Sequence, residues 1–410
     1  MNRLLKLHTT IKKYAWGSPA WIPRLVGAAN PAGEPWAELW MGTHPEGPSQ
    51  AELDGALPFL GHLIQQNPRF YLGPHGAEAF ETLPFLLKCI APAQPLSIQA
   101  HPDLRQARLG WERENQAGIP PGSANRNYRD PNHKPELLCA LAPFRALCGF
   151  RSLAAVREIL DRFSRPGTEG LPKPLAVALS GLTAAPTLRD FFAALEEFPE
   201  ETRSLLCAYT RQHGPELAKR HPAFAAEWRT AAYLAGLYPK DPAAIAPFYL
   251  HLLNLAPGEA LFLPPGVLHA YLEGFGVEVM ANSDNVLRGG LTAKQVDIQE
   301  LLKIVNFTPF LPKILKAETP EGGSFARFPS VCREFSLGVL ENQGGTAPLH
   351  LTGPAIVLLI QGRVILSQGT ERLALVKGES AFIAPGEKAE EVRCSGSYTL
   401  YIAETGLTAP

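Results

Sequence analysis

The segment Pro95–Asp103, PLSIQAHPD, alternates like a strand but repeats polar residues on one of its faces: Ser97, Gln99 and His101. Side chains in a strand repeat with period two, so Gln99 and His101 stand about 7 Å apart on one face and can lean towards one ion. The same spacing separates Lys134 and Glu136 in DPNHKPEL, around Pro135, which predicts an edge or irregular strand there. His269, three residues beyond a Pro-Gly, adds a second imidazole. Two imidazoles, one carboxylate and one amide oxygen suit a borderline divalent ion: zinc first, with iron, manganese or cobalt as substitutes. With neutral histidines and glutamine, a single Glu leaves the ion net positive, an effective Lewis acid if one coordination position stays open. A lone histidine on a strand face is ordinarily a satisfied core or surface residue, so spacing alone does not assemble these four.

The elements that must position them change texture along the chain. Residues 1 to about 150 mix short apolar runs with Pro and Gly turns, as in PFLLKCIAPAQPLSIQAHP, and predict strands and loops. The period then becomes helical. SLAAVREILDRF sets Leu153, Val156, Ile159, Leu160 and Phe163 on one face behind a Ser152 cap, and TLRDFFAALEEF follows with Thr187 and Asp190 in cap spacing. Residues 151–253 therefore read as an inserted all-α domain, and strand texture returns after it.

Two stretches in that last part repeat each other. LAPGEALFLPPG (255–266) and LVKGESAFIAPG (375–386) share Leu, Gly-Glu, Phe, an aliphatic residue and Pro-Gly at identical spacings. Two short strands joined at Gly-Glu suit an antiparallel barrel, and two copies predict two related barrels. The position matching His269 in the second copy is Ala389, so the first barrel is expected to carry the chemistry.

Bulk composition narrows the partners. The 410 residues are 46% hydrophobic and 19% charged with a net charge of −1, which offers neither nucleic acid nor an anionic membrane any electrostatic support. No signal-like or membrane-spanning apolar run is present, so the cytoplasm is the expected compartment. Six cysteines without CxxC spacing read as reduced, buried side chains.

PLSIQAHPD, RNYRDPNHKPEL, GEALFLPPGVLHAYLEG and EVMANSDNVLRGGLTAK occur in this order, behind YAWGSPAWIPRLVG and PWAELWMGTHPEGPS. Together they resemble the type I mannose-6-phosphate isomerases, the zinc-dependent phosphomannose isomerases, from about residue 14 to about 310. The resemblance implies a mainly β fold of two cupin-like jelly-roll barrels with a helical insertion. The expected partition is a first barrel from 1–150 and 254–318, interrupted by the all-α domain, and a C-terminal barrel from 319–410 without metal ligands. It places the zinc ligands on Gln99, His101, Glu136 and His269, the catalytic arginine on Arg288, the active-site lysine on Lys134, and pocket residues on Tyr271, Glu278 and Asp284. Ser97 and Lys294 fall at phosphate contacts. One departure is Leu104-Arg105 after HPD, where the family commonly has a lysine.

The implied reaction interconverts mannose 6-phosphate and fructose 6-phosphate by C1/C2 proton transfer through a cis-enediol, a step that in cells feeds GDP-mannose synthesis. Arg288, forked and always charged, suits a developing enediolate better than a base's role. Lys134 is the candidate acid/base, with Glu278 and His101 left open. Glu278 could instead pair with Arg288 to hold the strand. The alternative is a non-catalytic cupin that binds a sugar phosphate as sensor or scaffold; a metal-dependent oxygenase is disfavoured by the Gln ligand. Oligomeric state is left open, a monomer being compatible with the sequence.

Overall fold

The computed structural model describes residues 2–164, 171–294, 296–329, 332–386 and 392–406. The chain is mainly β, in three antiparallel sheets, with most of its helices between residues 153 and 249. No helix of the described residues is long and apolar enough to cross a membrane.

A seven-stranded sheet runs in the order Ile314–Leu315, Ala260–Leu263, Glu136–Ala140, Gly276–Ala281, Phe85–Ile90, Glu38–Gly42, Thr10–Lys12. Its register divides these strands into two faces. Glu136, Leu138, Glu278, Met280, Lys88, Glu38 and Trp40 share one, while Leu137, Cys139, Val277, Val279, Leu87, Cys89 and Leu39 share the other. The second face is wholly apolar and packs against Leu337, Ile356, Leu358 and Tyr401 of the C-terminal sheet.

A five-stranded sheet runs Leu287–Arg288, Gln99–Ala100, His269–Glu273, Phe144–Phe150, Leu250–Leu255. Ile98, Ala100, Leu147, Leu268 and Ala270 join one hydrophobic cluster with Val156, Ile159, Phe163, Phe191 and Trp228 of the helices. Their neighbours Gln99, Cys148, His269 and Tyr271 therefore turn the other way, towards the seven-stranded sheet. The polar faces of the two sheets thus confront each other, each backed by an apolar layer. Each fully buried Leu, Ile or Phe in such a layer stabilises the fold by roughly 1.5–3 kcal/mol.

The helices begin where their caps require. Ser152 accepts from the Ala155 N–H at 3.2 Å and starts Leu153–Phe163; Thr187 accepts from the Asp190 N–H at 3.1 Å and starts Leu188–Glu196. The repeated segments turn alike, although in neither do the two flanking strands pair with each other. Gly258 and Gly378 both turn at positive φ, +85° and +86°, and Glu259 and Glu379 each accept the backbone N–H three residues earlier, at 3.0 and 2.9 Å. Ala389 lies outside the described residues. All six cysteines are free and buried.

Three expectations need correction. Residues 1–150 are not strands and loops alone: they hold the helices Trp21–Val26, Leu60–Gln66, Pro68–Ala79 and Leu104–Gln116, the last started by a reciprocal Asp103–Gln106 capping box. Glu136–Ala140 is an interior strand, because Pro135 precedes its first residue and removes no ladder bond. The strand Leu4–His8, expected in the first barrel, pairs with Ser380–Ile383 in the C-terminal eight-stranded sheet. Leu4 buries into that sheet's own core and Leu5 and Leu7 into the layer beneath, so both faces of the strand are used.

Candidate metal centre and cleft

His269 is the direct cross-strand partner of Gln99, and Arg288 pairs with Gln99 from the other side. His101 follows two residues after Gln99, and Glu136 projects from the facing sheet. His101, Glu136 and His269 are all buried, and one ligand atom from each lies within 4.8 Å of the others. Glu136 Oε2 is 3.5 Å from His101 Nε2 and 3.3 Å from His269 Nε2.

The far side of each imidazole fixes its orientation. His101 Nδ1 lies 2.7 Å from the Asn285 carbonyl and His269 Nδ1 3.0 Å from the Val267 carbonyl. With those nitrogens donating, both Nε2 atoms present lone pairs to Glu136, the arrangement of metal-binding histidines. Burial pushes His101 down to about 4, despite the pull of Glu136, so the ring is neutral at pH 7. His101 Nε2, Glu136 Oε2 and His269 Nε2 are buried without any hydrogen-bond partner. Three converging lone pairs in a site closed to water are unfavourable unless a cation joins them, so these residues fit a divalent metal, with Gln99 on the same face as a fourth arm.

Beside the cluster lies a buried ionic network. Lys134 Nζ is 3.4 Å from Glu136 Oε1. Lys88 Nζ is 2.5 Å from Glu278 Oε2 and 3.2 Å from Glu38 Oε1, Tyr271 Oη donates to Glu278, and Trp40 Nε1 donates to Glu38 at 3.0 Å. Burial alone would lower the Lys88 pKa; Glu278, Glu38 and Glu136 outweigh it and hold the ammonium well above its ordinary value. Glu278 therefore pairs with Lys88, not with Arg288. Lys88 was not singled out from the sequence, although a single lysine inside the apolar run FLLKCI was the available signal.

A cleft of about 300 Å³ opens next to this network, lined among others by Tyr14, Trp40, Arg129, Asp284, Arg288 and Lys294. Gln99, His101, Glu136 and His269 are not part of its lining. The Asp284–Arg288 stretch connects the two: Asp284 and Arg288 line the cleft, and Asn285 between them holds His101. Asn285 also accepts from the Arg129 N–H at 2.7 Å and donates to the Asp130 and Asn132 carbonyls at 2.8 Å, tying the RDPNHK loop to the site. Among the described residues Arg129, Arg288 and Lys294 form no ion pair within 4.0 Å. The Arg288 charge, burial and the Arg129 charge together lower the Lys294 pKa. His44 Nε2 is 3.4 Å from Asp284 Oδ1, and its hydrogen bond keeps that carboxyl below the ordinary range against the effect of burial. Ser97, Lys134, Tyr271 and Glu278 do not line the cleft.

A buried His-Glu-His cluster between two antiparallel sheets, beside a cleft that Arg129, Arg288 and Lys294 help to line, marks a metal-binding protein. Comparison with known proteins is more specific. A family model for the phosphomannose isomerase type I catalytic domain matches residues 4–153. The chain is 37% identical over 393 residues to the mannose-6-phosphate isomerase of Salmonella typhimurium, covering 96% of this chain and 97% of that protein. It is 32% identical over 414 residues to the Homo sapiens mannose-6-phosphate isomerase, 94% of each chain being covered. The crystal structure of a zinc-bound mannose 6-phosphate isomerase superposes with a TM-score of 0.86 at 35% identity, over 99% of this chain and 100% of that one. The Salmonella typhimurium enzyme bound to fructose 6-phosphate and zinc superposes with a TM-score of 0.84, at 35% identity and the same coverage. The chain belongs to the type I phosphomannose isomerase family.

Proposed function

We propose that this chain interconverts D-mannose 6-phosphate and D-fructose 6-phosphate through a cis-enediol, with one zinc ion held by Gln99, His101, Glu136 and His269. The observation that carries this reading is the set of three buried ligand atoms without hydrogen-bond partners among the described residues, beside a cleft that Arg129, Arg288 and Lys294 help to line. Bound zinc supplies polarisation and ordering of the sugar's C1 and C2 oxygens.

The protein's own groups divide the remaining work. Lys294 and Arg129 receive the dianionic phosphate. Arg288, next to Gln99 in register, faces the oxyanion that develops as the C2 proton leaves. Of the three acid/base candidates, Glu278 is held by Lys88 and Tyr271, and His101 has one nitrogen on Asn285 and the other facing the metal position. Lys134, which keeps some side-chain exposure, is therefore our proton carrier, taking hydrogen from one carbon and returning it to the other. Tyr271 and Glu278 act with Lys88 as the rigid network under the pocket, and Asp284 with His44 as part of its wall. Ser97 is assigned to the phosphate end by family resemblance alone.

We further infer that the seven- and five-stranded sheets form one cupin-like barrel, the eight-stranded sheet a second without metal ligands, and residues 151–249 the helical insertion, which ends before the expected 253 because Leu250–Leu255 is a strand of the five-stranded sheet. A cytoplasmic role at the entry to GDP-mannose synthesis goes with this reading. The test is a coupled assay for fructose 6-phosphate from mannose 6-phosphate, before and after chelation. Activity that disappears with chelator and returns with zinc is expected; no turnover by zinc-loaded protein would return the chain to the sensor alternative.

A further inference from the structure

The segment from Arg288 to Lys294 follows a backbone path that Leu291 does not favour. Gly290 has φ +115° and Leu291, which carries a β-carbon, has φ +54°. Bonds on two sides impose this path. The Gly289 N–H donates to the Ile98 carbonyl at 2.8 Å, and the Ile98 N–H donates to the Gly290 carbonyl at 2.9 Å, fastening the turn to the residue before Gln99. From the opposite side comes Asp241, just beyond the helix Ala225–Leu237. Its Oδ2 accepts the Leu291 N–H at 2.6 Å and its Oδ1 accepts the Ala243 N–H at 2.9 Å. A β-carbon added to Gly290 would lie 2.2 Å from the Ala243 β-carbon, so the turn and the helical segment touch at this point.

We propose that Asp241 is a positioning residue for the reaction: its carboxylate holds the Gly290–Thr292 turn, and thereby aims Arg288 at one end and Lys294 at the other towards the substrate. This rests on the reading that those two cations meet the sugar phosphate, and it gives the helical insertion a part in catalysis without contact with substrate. A charge-assisted bond from a backbone N–H to a carboxylate is strong and directional, and the one at Leu291 offsets the strain there. A misplacement of about 1 Å can cost on the order of 10²-fold in rate.

The test uses the full-length zinc-loaded chain, with Asp241→Ala and Asp241→Asn compared at a temperature well below both melting points. Steady-state turnover of mannose 6-phosphate, zinc content and amide hydrogen exchange over residues 288–294 are measured. Asp241→Ala is expected to lose at least ~30-fold in kcat/KM, with KM raised, zinc unchanged and exchange quickened in that segment. Asp241→Asn, which retains an acceptor, should recover most of the loss and keep KM raised several-fold. If the alanine variant does not fold, the asparagine variant decides by the same readouts. A folded variant with lower melting temperature but kcat, KM and exchange over 288–294 unchanged would reduce Asp241 to a cap for the Pro242–Ile245 turn and overturn the proposal. Failure of the unaltered chain to turn over mannose 6-phosphate would instead refute the functional reading.

Discussion

Gln99 and His269 are direct cross-strand partners, one from before and one from after the helical segment, and their side chains share a face of the five-stranded sheet. Directly opposed residues hold their β-carbons about 4.5–5.5 Å apart, so the two can close on a single ion without backbone movement. Removing either should loosen zinc by at least the ~10–100-fold that outer-shell partners of a metal are worth. His269→Ala is expected to lose more than Gln99→Ala, because it also leaves Glu136 short of a partner. Zinc content after dialysis against graded chelator measures this, and wild-type retention in both variants would remove the pair from the metal site.

Arg288 pairs with Gln99 on its other side and lines the cleft. Arg288→Ala should lower kcat by about 10²–10³-fold, the range for removing a donor to a developing oxyanion. Zinc should stay near one per chain. Unchanged kcat would exclude the guanidinium from the chemical step.

Lys88 lies between Glu38 and Glu278 with almost no exposure. Lys88→Met would bury two carboxylates without their cation, a loss of about 3–5 kcal/mol for such a pair. Denaturant unfolding should register this, and the double variant Lys88→Met/Glu278→Gln should be less destabilised than the single one. Equal stabilities for single variant and wild type would show that the network is not needed for the fold.

Burial, with a contribution from Asp241, pushes Glu196 up to about 8. In the unfolded chain a glutamate titrates near 4.3, so between about pH 4.3 and 8 the native state keeps a proton that the unfolded state has released. Stability is therefore fullest below the lower value, declines by about 1.4 kcal/mol per pH unit through this window, and levels off above it. Glu196→Gln should raise the melting temperature more at pH 8 than at pH 5. An equal change at both values would place the native Glu196 pKa in the ordinary range.

The candidate metal ligands stood out because their chemistry is conspicuous against strand periodicity: Gln99 and His101 interrupt an apolar alternation, and His269 distinguishes two otherwise matching repeats. Family resemblance then singled out Arg288, Lys134 and Asp284. Helix starts at Ser152 and Thr187 were legible for a local reason, since a cap bonds within three residues of itself. Lys88 was not, because a charge inside FLLKCI acquires meaning only when Glu278 and Glu38 are its neighbours in register. Arg129 and Asp241 look like ordinary loop residues until Arg288, Lys294 and Leu291 are placed beside them.

The amino-acid order was sufficient for the mainly β class, the helical stretch and the family, and it offered the candidate donors that the metal proposal uses, because periodicity, caps and long motifs are local. Tertiary structure alone decided which strands lie opposite each other. It sent Leu4–His8 to the C-terminal sheet, placed Glu136 against two histidines from the facing sheet, and brought Asp241 onto the Arg288–Lys294 turn. Periodicity tells which side chains share a face of one strand; what that face meets is settled only when all apolar faces are buried together.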